Sequence, residues 1–173
     1  MPTNLELKAR CDTHGPLFSV LAGLKARNLG LVVQTDTYFH FRPGRLKLRE
    51  IRNSGSELIW YRRPNTRHRR YSDFKRIPVR DSRSLKYILA SSIGVRAVVR
   101  KKRLVYLFKN ARIHVDTVEK LGTFIEFEVM VTKGRTQARH LLSLLRKAFN
   151  IKSRSILVSS YGDLIHRLRK NTQ

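Results

Sequence analysis

The sequence predicts an α+β protein in which a β-sheet with one charged face and one apolar face packs against several helices. Two observations support this fold class. Several segments alternate charged and apolar residues with period two, which is typical of strands that bury one face. Other segments place leucine and isoleucine at helical spacing, and 41% of the 173 residues are hydrophobic, which is enough for a substantial core.

The first half of the chain is predicted to be mainly strand. Residues 4–10 alternate Leu5, Leu7 and Ala9 with polar neighbours. A helix is predicted to begin near Pro16, which suits a first helical turn, and to end near residues 28–30. Further strands are predicted over residues 31–41, 45–50 and 57–63. Residues 65–76 are basic and aperiodic and are interpreted as a mobile loop, which contains Arg67, Arg69, Arg70, Lys75 and Arg76.

The second half is predicted to combine three more strands with three helices. The helices are expected over residues 84–93, 136–149 and 161–170, and Gly94 is expected to cap the first of them. A basic strand is expected over residues 95–107. Residues 111–131 are interpreted as two strands joined by a short turn, because the alternation continues on both sides of it.

The polar face of this hairpin carries candidate site residues. Arg112, His114 and Asp116 share one face of the first strand, and Glu126 and Glu128 share one face of the second. Same-face neighbours lie about 6.5 Å apart, and two carboxylates at that distance repel each other by roughly 2.5 kcal/mol. We therefore expect a positive partner, which is either a divalent metal or basic side chains across the sheet. His114 fits a structural hydrogen bond as well as a catalytic role.

The formal net charge of +25 predicts a polyanionic partner. The single cysteine, Cys11, excludes an internal disulfide framework and a metal site built from cysteines. The chain shows no secretory signal and no run of the roughly 18 apolar residues that a membrane span needs. We therefore expect a cytoplasmic protein, with the nucleus as an alternative, and no membrane partner. The candidate polyanions include polyphosphate and nucleic acid.

The alternation of charged and apolar residues recurs on six predicted strands. On any single strand, an open sheet with one face in water would explain it. Across the set, however, the charged faces are basic, and a few acids cluster on two or three strands. Closing the sheet into a barrel would turn these faces inward and create a basic tunnel with an acidic patch. Such a tunnel could hold a polyphosphate on lysine and arginine, with its metal on the carboxylates.

The order and spacing of several segments resemble the CYTH superfamily of triphosphate tunnel metalloenzymes. The segments that carry the resemblance are NLELKAR, QTDTYF, GRLKLRE, RIHVD, LGTFIEFE and SSYGDL. The chain looks most like the branch of the class IV adenylyl cyclases, and the superfamily also includes thiamine triphosphatases. The resemblance implies a single CYTH-like domain over residues 1–173, folded as a closed eight-stranded antiparallel β-barrel with flanking helices.

The resemblance also implies roles for individual residues. The metal ligands, which would also be the catalytic residues and would bind Mg²⁺ or Mn²⁺, are Glu6, Asp116, Glu126 and Glu128. The residues that would bind the triphosphate are Lys8, Arg10, Lys47, Arg49, Arg63, Lys101, Arg103 and Arg112. The strand register leaves Arg62 as an alternative to Arg63. The family motif E-x-E-x-K has Asn4 here in place of its first glutamate, so the number of metals stays open. Asp36 and Tyr38 are interpreted as structural.

Three functions are compatible with these features. The first, which we rank highest, is metal-dependent hydrolysis of inorganic tripolyphosphate, thiamine triphosphate or a nucleotide. The second is an adenylyl cyclase, in which the ribose 3′-hydroxyl of ATP attacks the α-phosphorus and pyrophosphate leaves. It would need a base-recognition surface, which the sequence does not identify. The third is a catalytically weak protein that binds polyphosphate or RNA, which the net charge favours.

Overall fold

The structure is a computed structural model that describes residues 2–12, 14–64, 66 and 70–171. Within these residues the strands are β1 Thr3–Arg10, β2 Arg27–Phe39, β3 Arg45–Ile51, β4 Ser56–Arg62, β5 Tyr71–Val79, β6 Val95–Phe108, β7 Ala111–Val118 and β8 Gly122–Met130. They close into a barrel in the order β1-β5-β4-β3-β2-β6-β7-β8, and every neighbouring pair is antiparallel. The predicted fold class is confirmed.

The helices lie around and at one end of this barrel. They are α1 Gly15–Gly23, α2 Ser82–Ile93, α3 Arg135–Ala148 and α4 Tyr161–Lys170, with a short 3₁₀ turn at Ser153–Ser155. Asp81 caps α2 by accepting a bond from the Ser84 amide at 3.0 Å, and Gly94 ends that helix with a φ of 77°. Ser160 and Asp163 form a reciprocal capping box at the start of α4. None of the described helices is long and apolar enough to cross a membrane.

Two local predictions are wrong. Residues 71–76 belong to β5, which pairs with β1 and β4, and not to a mobile loop. Most of the later part of this strand is exposed, so its sequence lacks the alternation that revealed the other strands. Arg67 and Arg69 of the predicted loop lie outside the described residues. Residues 28–30 lie in β2 and not at a helix end, because pairing with β6 extends the strand back to Arg27, and α1 already ends at Gly23.

The apolar faces of the strands point out of the barrel and pack under the helices. Leu21 of α1 and Leu145 of α3 lie in one buried cluster with Ile113, Ile125 and Phe127 of β7 and β8. A separate cluster joins α2 to β2 and β3 on the outside of the barrel. Because side chains alternate across a strand, this packing leaves the opposite, charged faces directed into the barrel.

One end of the barrel is closed by α4. Tyr161 and Ile165 of this helix pack on the inward-facing Val99, Val118 and Phe124, which lie near the corresponding ends of β6, β7 and β8. The barrel interior is therefore apolar at this end. The next inward-facing position on each of these strands, farther from α4, is charged.

Candidate functional site

A cavity of about 550 Å³ occupies the rest of the barrel interior. Tyr161 and Ser160 at the start of α4 contribute to its floor, and Leu107 and Met130 line its outer part. The walls come from inward positions on the strands. The charged faces that the alternation predicts on separate strands therefore meet around one space.

Asp36 lies at the centre of the basic wall, formed by β2, β3 and β6. It is fully buried and faces Arg49 directly across the pair of β2 and β3. Its carboxylate accepts bonds from Arg49 Nε at 2.8 Å, Lys47 Nζ at 3.0 Å and Lys101 Nζ at 3.2 Å. Burial alone would raise the pKa of Asp36, but Arg49, Lys101 and Lys47 hold it well below its usual range. The buried Asp36 carboxylate thus holds three cationic side chains in position at the cavity wall.

The two lysines of this group titrate near neutral pH. Burial, helped by the neighbouring Arg103, lowers the pKa of Lys101 to about 7. Burial, helped by Arg49, lowers the pKa of Lys47 to about 8. A polyanion in the cavity would favour their charged forms, because an opposite charge nearby stabilises the protonated lysine. Binding of a polyanion is therefore expected to be coupled to proton uptake.

Asp116 on β7 anchors a fourth cation. It is fully buried, faces Arg103 across the pair of β6 and β7, and accepts from Arg103 Nε at 2.7 Å and from its Nη2 at 2.6 Å. The Tyr161 hydroxyl donates to the same carboxylate at 2.8 Å, and Arg103 Nη2 also reaches Glu126 at 2.7 Å. Burial would raise the pKa of Asp116, but Arg103 lowers it to about 2. Asp116 thus fixes the position of Arg103.

Three glutamates, Glu6, Glu126 and Glu128, line the wall formed by β1 and β8. Lys8 Nζ lies 3.1 Å from Glu126 Oε1, and Arg63 Nη1 donates to Glu6 at 2.7 Å. Burial would raise the pKa of Glu126, but neighbouring cations, Lys8 foremost, hold it well below its usual range. Burial raises the pKa of Glu6, and the charges of Glu128 and Glu126 add to this effect against the opposing Arg63. The group therefore contains one carboxylate whose ionisation is favoured, Glu126, and one whose ionisation is disfavoured, Glu6.

His114, Glu126 and Glu128 form a potential metal-binding group. One ligand atom from each residue can be chosen so that all three lie within 4.8 Å of one another. His114 Nδ1 is 3.6 Å from Glu126 Oε2 and 3.8 Å from Glu128 Oε1. Among the described residues this buried nitrogen finds no hydrogen-bond partner. Two carboxylates around an unpartnered imidazole nitrogen are a donor set that fits a divalent cation.

Most of the site residues that the resemblance implies meet in the cavity. Those that line it are Lys8, Lys47, Arg49, Arg63, Lys101, Arg103 and Arg112, together with Glu6, Glu126 and Glu128. Arg10 is placed differently: its guanidinium donates to the Leu121 carbonyl at 2.9 Å and lies 5.0 Å from the Phe124 ring. Asp116 lies behind Arg103 and outside the metal-binding group. Asn4 lines the cavity on β1.

Two residues with structural roles in the cavity were not among the predicted site residues, although Asp36 was interpreted as structural. Asp36 orients the basic wall, and Tyr161 contributes to the floor, where Lys8 Nζ lies 3.5 Å from its ring centroid. Both residues occur in the segments QTDTYF and SSYGDL, which were among those that carried the family resemblance. The family resemblance of these two segments was therefore the sequence feature that could have pointed to both residues.

Comparison with known proteins identifies the family. The CYTH domain matches this chain over residues 3–161. The chain belongs to the CYTH family. A relative of this CYTH protein from Methanocaldococcus jannaschii, provisionally named an adenylate cyclase, is 24% identical over 170 residues, which cover 92% of this chain and 97% of the relative.

Solved structures share the fold of this CYTH protein. A Pyrococcus horikoshii protein is 24% identical, superposes with a TM-score of 0.83, and is matched over 94% of this chain and 99% of its own. A Hippeastrum protein, provisionally called an adenylyl cyclase and described as having a dominant triphosphatase activity, is 17% identical with a TM-score of 0.65. That match covers 98% of this chain and 96% of the Hippeastrum chain.

Proposed function

We propose that this CYTH protein is a divalent-metal-dependent triphosphatase that hydrolyses its substrate inside the barrel. The observation that carries the proposal is the charge arrangement in the cavity. A basic wall gathered by Asp36 lies across the barrel from the glutamates of β1 and β8, around a space of about 550 Å³. The names of the relatives support a triphosphate as substrate, since ATP cyclisation and triphosphate hydrolysis both act on one.

The charge balance of the cavity supports a polyanionic substrate. Among the described residues its lining includes eight cations, which are Lys8, Lys47, Arg49, Arg63, Arg76, Lys101, Arg103 and Arg112. The lining also includes four glutamates, which are Glu6, Glu57, Glu126 and Glu128. Asp36 and Asp116 behind the wall bring the acids to six, so the fully ionised site has a net charge of about +2. This excess attracts a triphosphate but does not neutralise it, which leaves room for a divalent cation.

Each part of the cavity has a role in the proposed reaction. Asp36 holds its three cations in place before the substrate arrives, so phosphate oxygens meet donors that are already oriented. Asp116 does the same for Arg103. Glu126 and Glu128 would hold the divalent metal. When bound, such a metal supplies positive charge that polarises phosphoryl oxygens and offsets the charge of the transferring group.

A second candidate is an adenylyl cyclase, which the name of the Methanocaldococcus jannaschii relative favours. The same cavity would then hold the triphosphate of ATP. The nucleoside would have to lie in the outer part, near Leu107 and Met130. The two candidates differ in the atom that attacks and in the phosphorus that is attacked, so their products distinguish them.

The proposal is tested by neutralising the two glutamates together. In Glu126→Gln/Glu128→Gln, release of phosphate from tripolyphosphate with Mg²⁺ or Mn²⁺ should fall to the level seen with a chelator. Glu119→Gln is the matched control, because Glu119 is exposed and lies 3.9 Å from Arg100 on the outside of the barrel. The control should keep wild-type turnover. Undiminished hydrolysis by the double variant would overturn the assignment.

A further inference from the structure

His114 occupies an unusual position among the groups of the cavity. It lies on the inward face of β7, directly opposite Glu126 on β8, and is only 4% exposed. Its Nδ1 atom is buried, and within the described part of the chain no hydrogen-bond partner reaches it. The nearest carboxylate oxygens, on Glu126 and Glu128, are 3.6 and 3.8 Å away. These separations are too long for hydrogen bonds, and they leave space between the three atoms.

The acids near His114 differ in how many hydrogen bonds their carboxylate oxygens already accept. Both carboxylate oxygens of Asp116 accept from Arg103, and one of them also accepts from Tyr161. Glu126 accepts from Arg103 through Oε2, but a carboxylate oxygen can accept two bonds, so this atom keeps a lone pair. Asn4 brings no charge to the cavity. Glu6 also lines the cavity, but it accepts from Arg63 through Oε2 and is not part of the converging group. Among the described residues, the ligand atoms that converge on one another are therefore two glutamate oxygens and one imidazole nitrogen.

We infer that His114 Nδ1 is a metal ligand, and that its nitrogen makes the site favour a first-row transition metal such as Mn²⁺ or Co²⁺ over Mg²⁺. Mg²⁺ is bound in proteins through oxygen ligands and retains much of its water. Transition-metal ions accept imidazole readily, and their preference over Mg²⁺ increases when nitrogen replaces oxygen. The inference rests on the proposed function for the presence of the metal. It adds the third ligand and the resulting selectivity.

The test measures metal binding directly and does not depend on turnover. Pulsed electron paramagnetic resonance of Mn²⁺ bound to the full chain should show coupling to a ¹⁴N nucleus, which an imidazole ligand produces and a carboxylate does not. His114→Asn should abolish this coupling, because the imidazole nitrogen is removed. The asparagine amide can still offer an oxygen to the metal near the same position. In calorimetric titrations the variant should bind Mn²⁺ at least about tenfold more weakly, while Mg²⁺ affinity changes much less. His140→Asn is the control, because His140 is exposed on α3 outside the barrel.

The outcomes separate this inference from the proposed function. Mn²⁺ binding without nitrogen coupling, or equal losses of Mn²⁺ and Mg²⁺ affinity in His114→Asn, would overturn the inference and leave a metal site of carboxylates alone. Loss of the coupling in His140→Asn would overturn it as well. Nitrogen-coupled Mn²⁺ that is lost only in His114→Asn would support it. That last result together with no hydrolysis of any triphosphate would refute the triphosphatase while keeping the ligand assignment.

Discussion

Asp36→Asn removes the charge that gathers the basic wall and keeps the shape of the side chain. Three cations within 3.2 Å of the carboxylate would then be left without their counter-ion. Removing one partner of a buried ion pair costs about 3–5 kcal/mol of folding free energy. Lys101 and Lys47 have pKa values of about 7 and about 8, so they can lose protons and relieve part of this cost. We therefore expect a loss of about 3 kcal/mol near neutral pH.

Thermal unfolding followed by circular dichroism measures this effect. A loss of that size should lower the melting temperature by roughly 6–12 °C in a chain of this length. The loss should shrink above about pH 8, where both lysines are mostly neutral in the wild type too, and saturating tripolyphosphate should reverse part of it. Glu119→Gln, on the outer surface, should change stability by less than about 0.5 kcal/mol. A fall in the melting temperature of Asp36→Asn of less than about 3 °C, or one that does not depend on pH, would show that Asp36 is not the counter-ion that stabilises these cations.

Raising the pH from about 6 to about 9 should weaken tripolyphosphate binding, because Lys101 and Lys47 lose their positive charge as the pH passes about 7 and about 8. In calorimetric titrations, the affinity of Lys101→Met for tripolyphosphate should decrease less over this pH range than that of the wild type. A wild-type affinity that stays constant would contradict the proposed role of the two lysines in binding. Arg49→Ala should raise KM by about 10- to 100-fold, and less at high salt, because it removes a charged hydrogen-bond donor worth about 1.5–3 kcal/mol. An unchanged KM would count against that role. Gly162→Ala should lower the melting temperature by roughly 2–12 °C, because the added Cβ would lie 2.8 Å from the Tyr38 ring and overpacking costs about 1–3 kcal/mol. Unaltered melting would show that α4 can shift without cost.

The sequence predicted the strands whose two faces differ in polarity. Leu5, Leu7 and Ala9 on β1 and Ile125 and Phe127 on β8 pack outside the barrel, so alternation with their charged neighbours was visible. The strand β5 was missed because most of its later residues are exposed, which removes the contrast between its faces. The start of β2 was missed because it depends on pairing with β6, which is distant in sequence.

The candidate site was harder to predict because the strand register decides which charges meet. Asp36 and Asp116 each face an arginine directly across a strand pair, whereas Glu126 faces His114 on one side and Lys8 on the other. Alternation could place all of these groups on inward faces. It could not show that the two aspartates are anchors for cations, because that follows from neighbours brought together by the closed barrel.

Phosphorus NMR of the products from tripolyphosphate and from ATP shows whether the protein is a triphosphatase. The reactions are run in parallel with Mg²⁺, with Mn²⁺ and with a chelator. We expect metal-dependent conversion of tripolyphosphate to orthophosphate and pyrophosphate, which the chelator should abolish. Cyclic AMP and pyrophosphate from ATP, with tripolyphosphate left intact, would contradict this expectation and establish a cyclase. Tight tripolyphosphate binding with no product under any condition would also contradict it and would identify the barrel as a polyanion receptor.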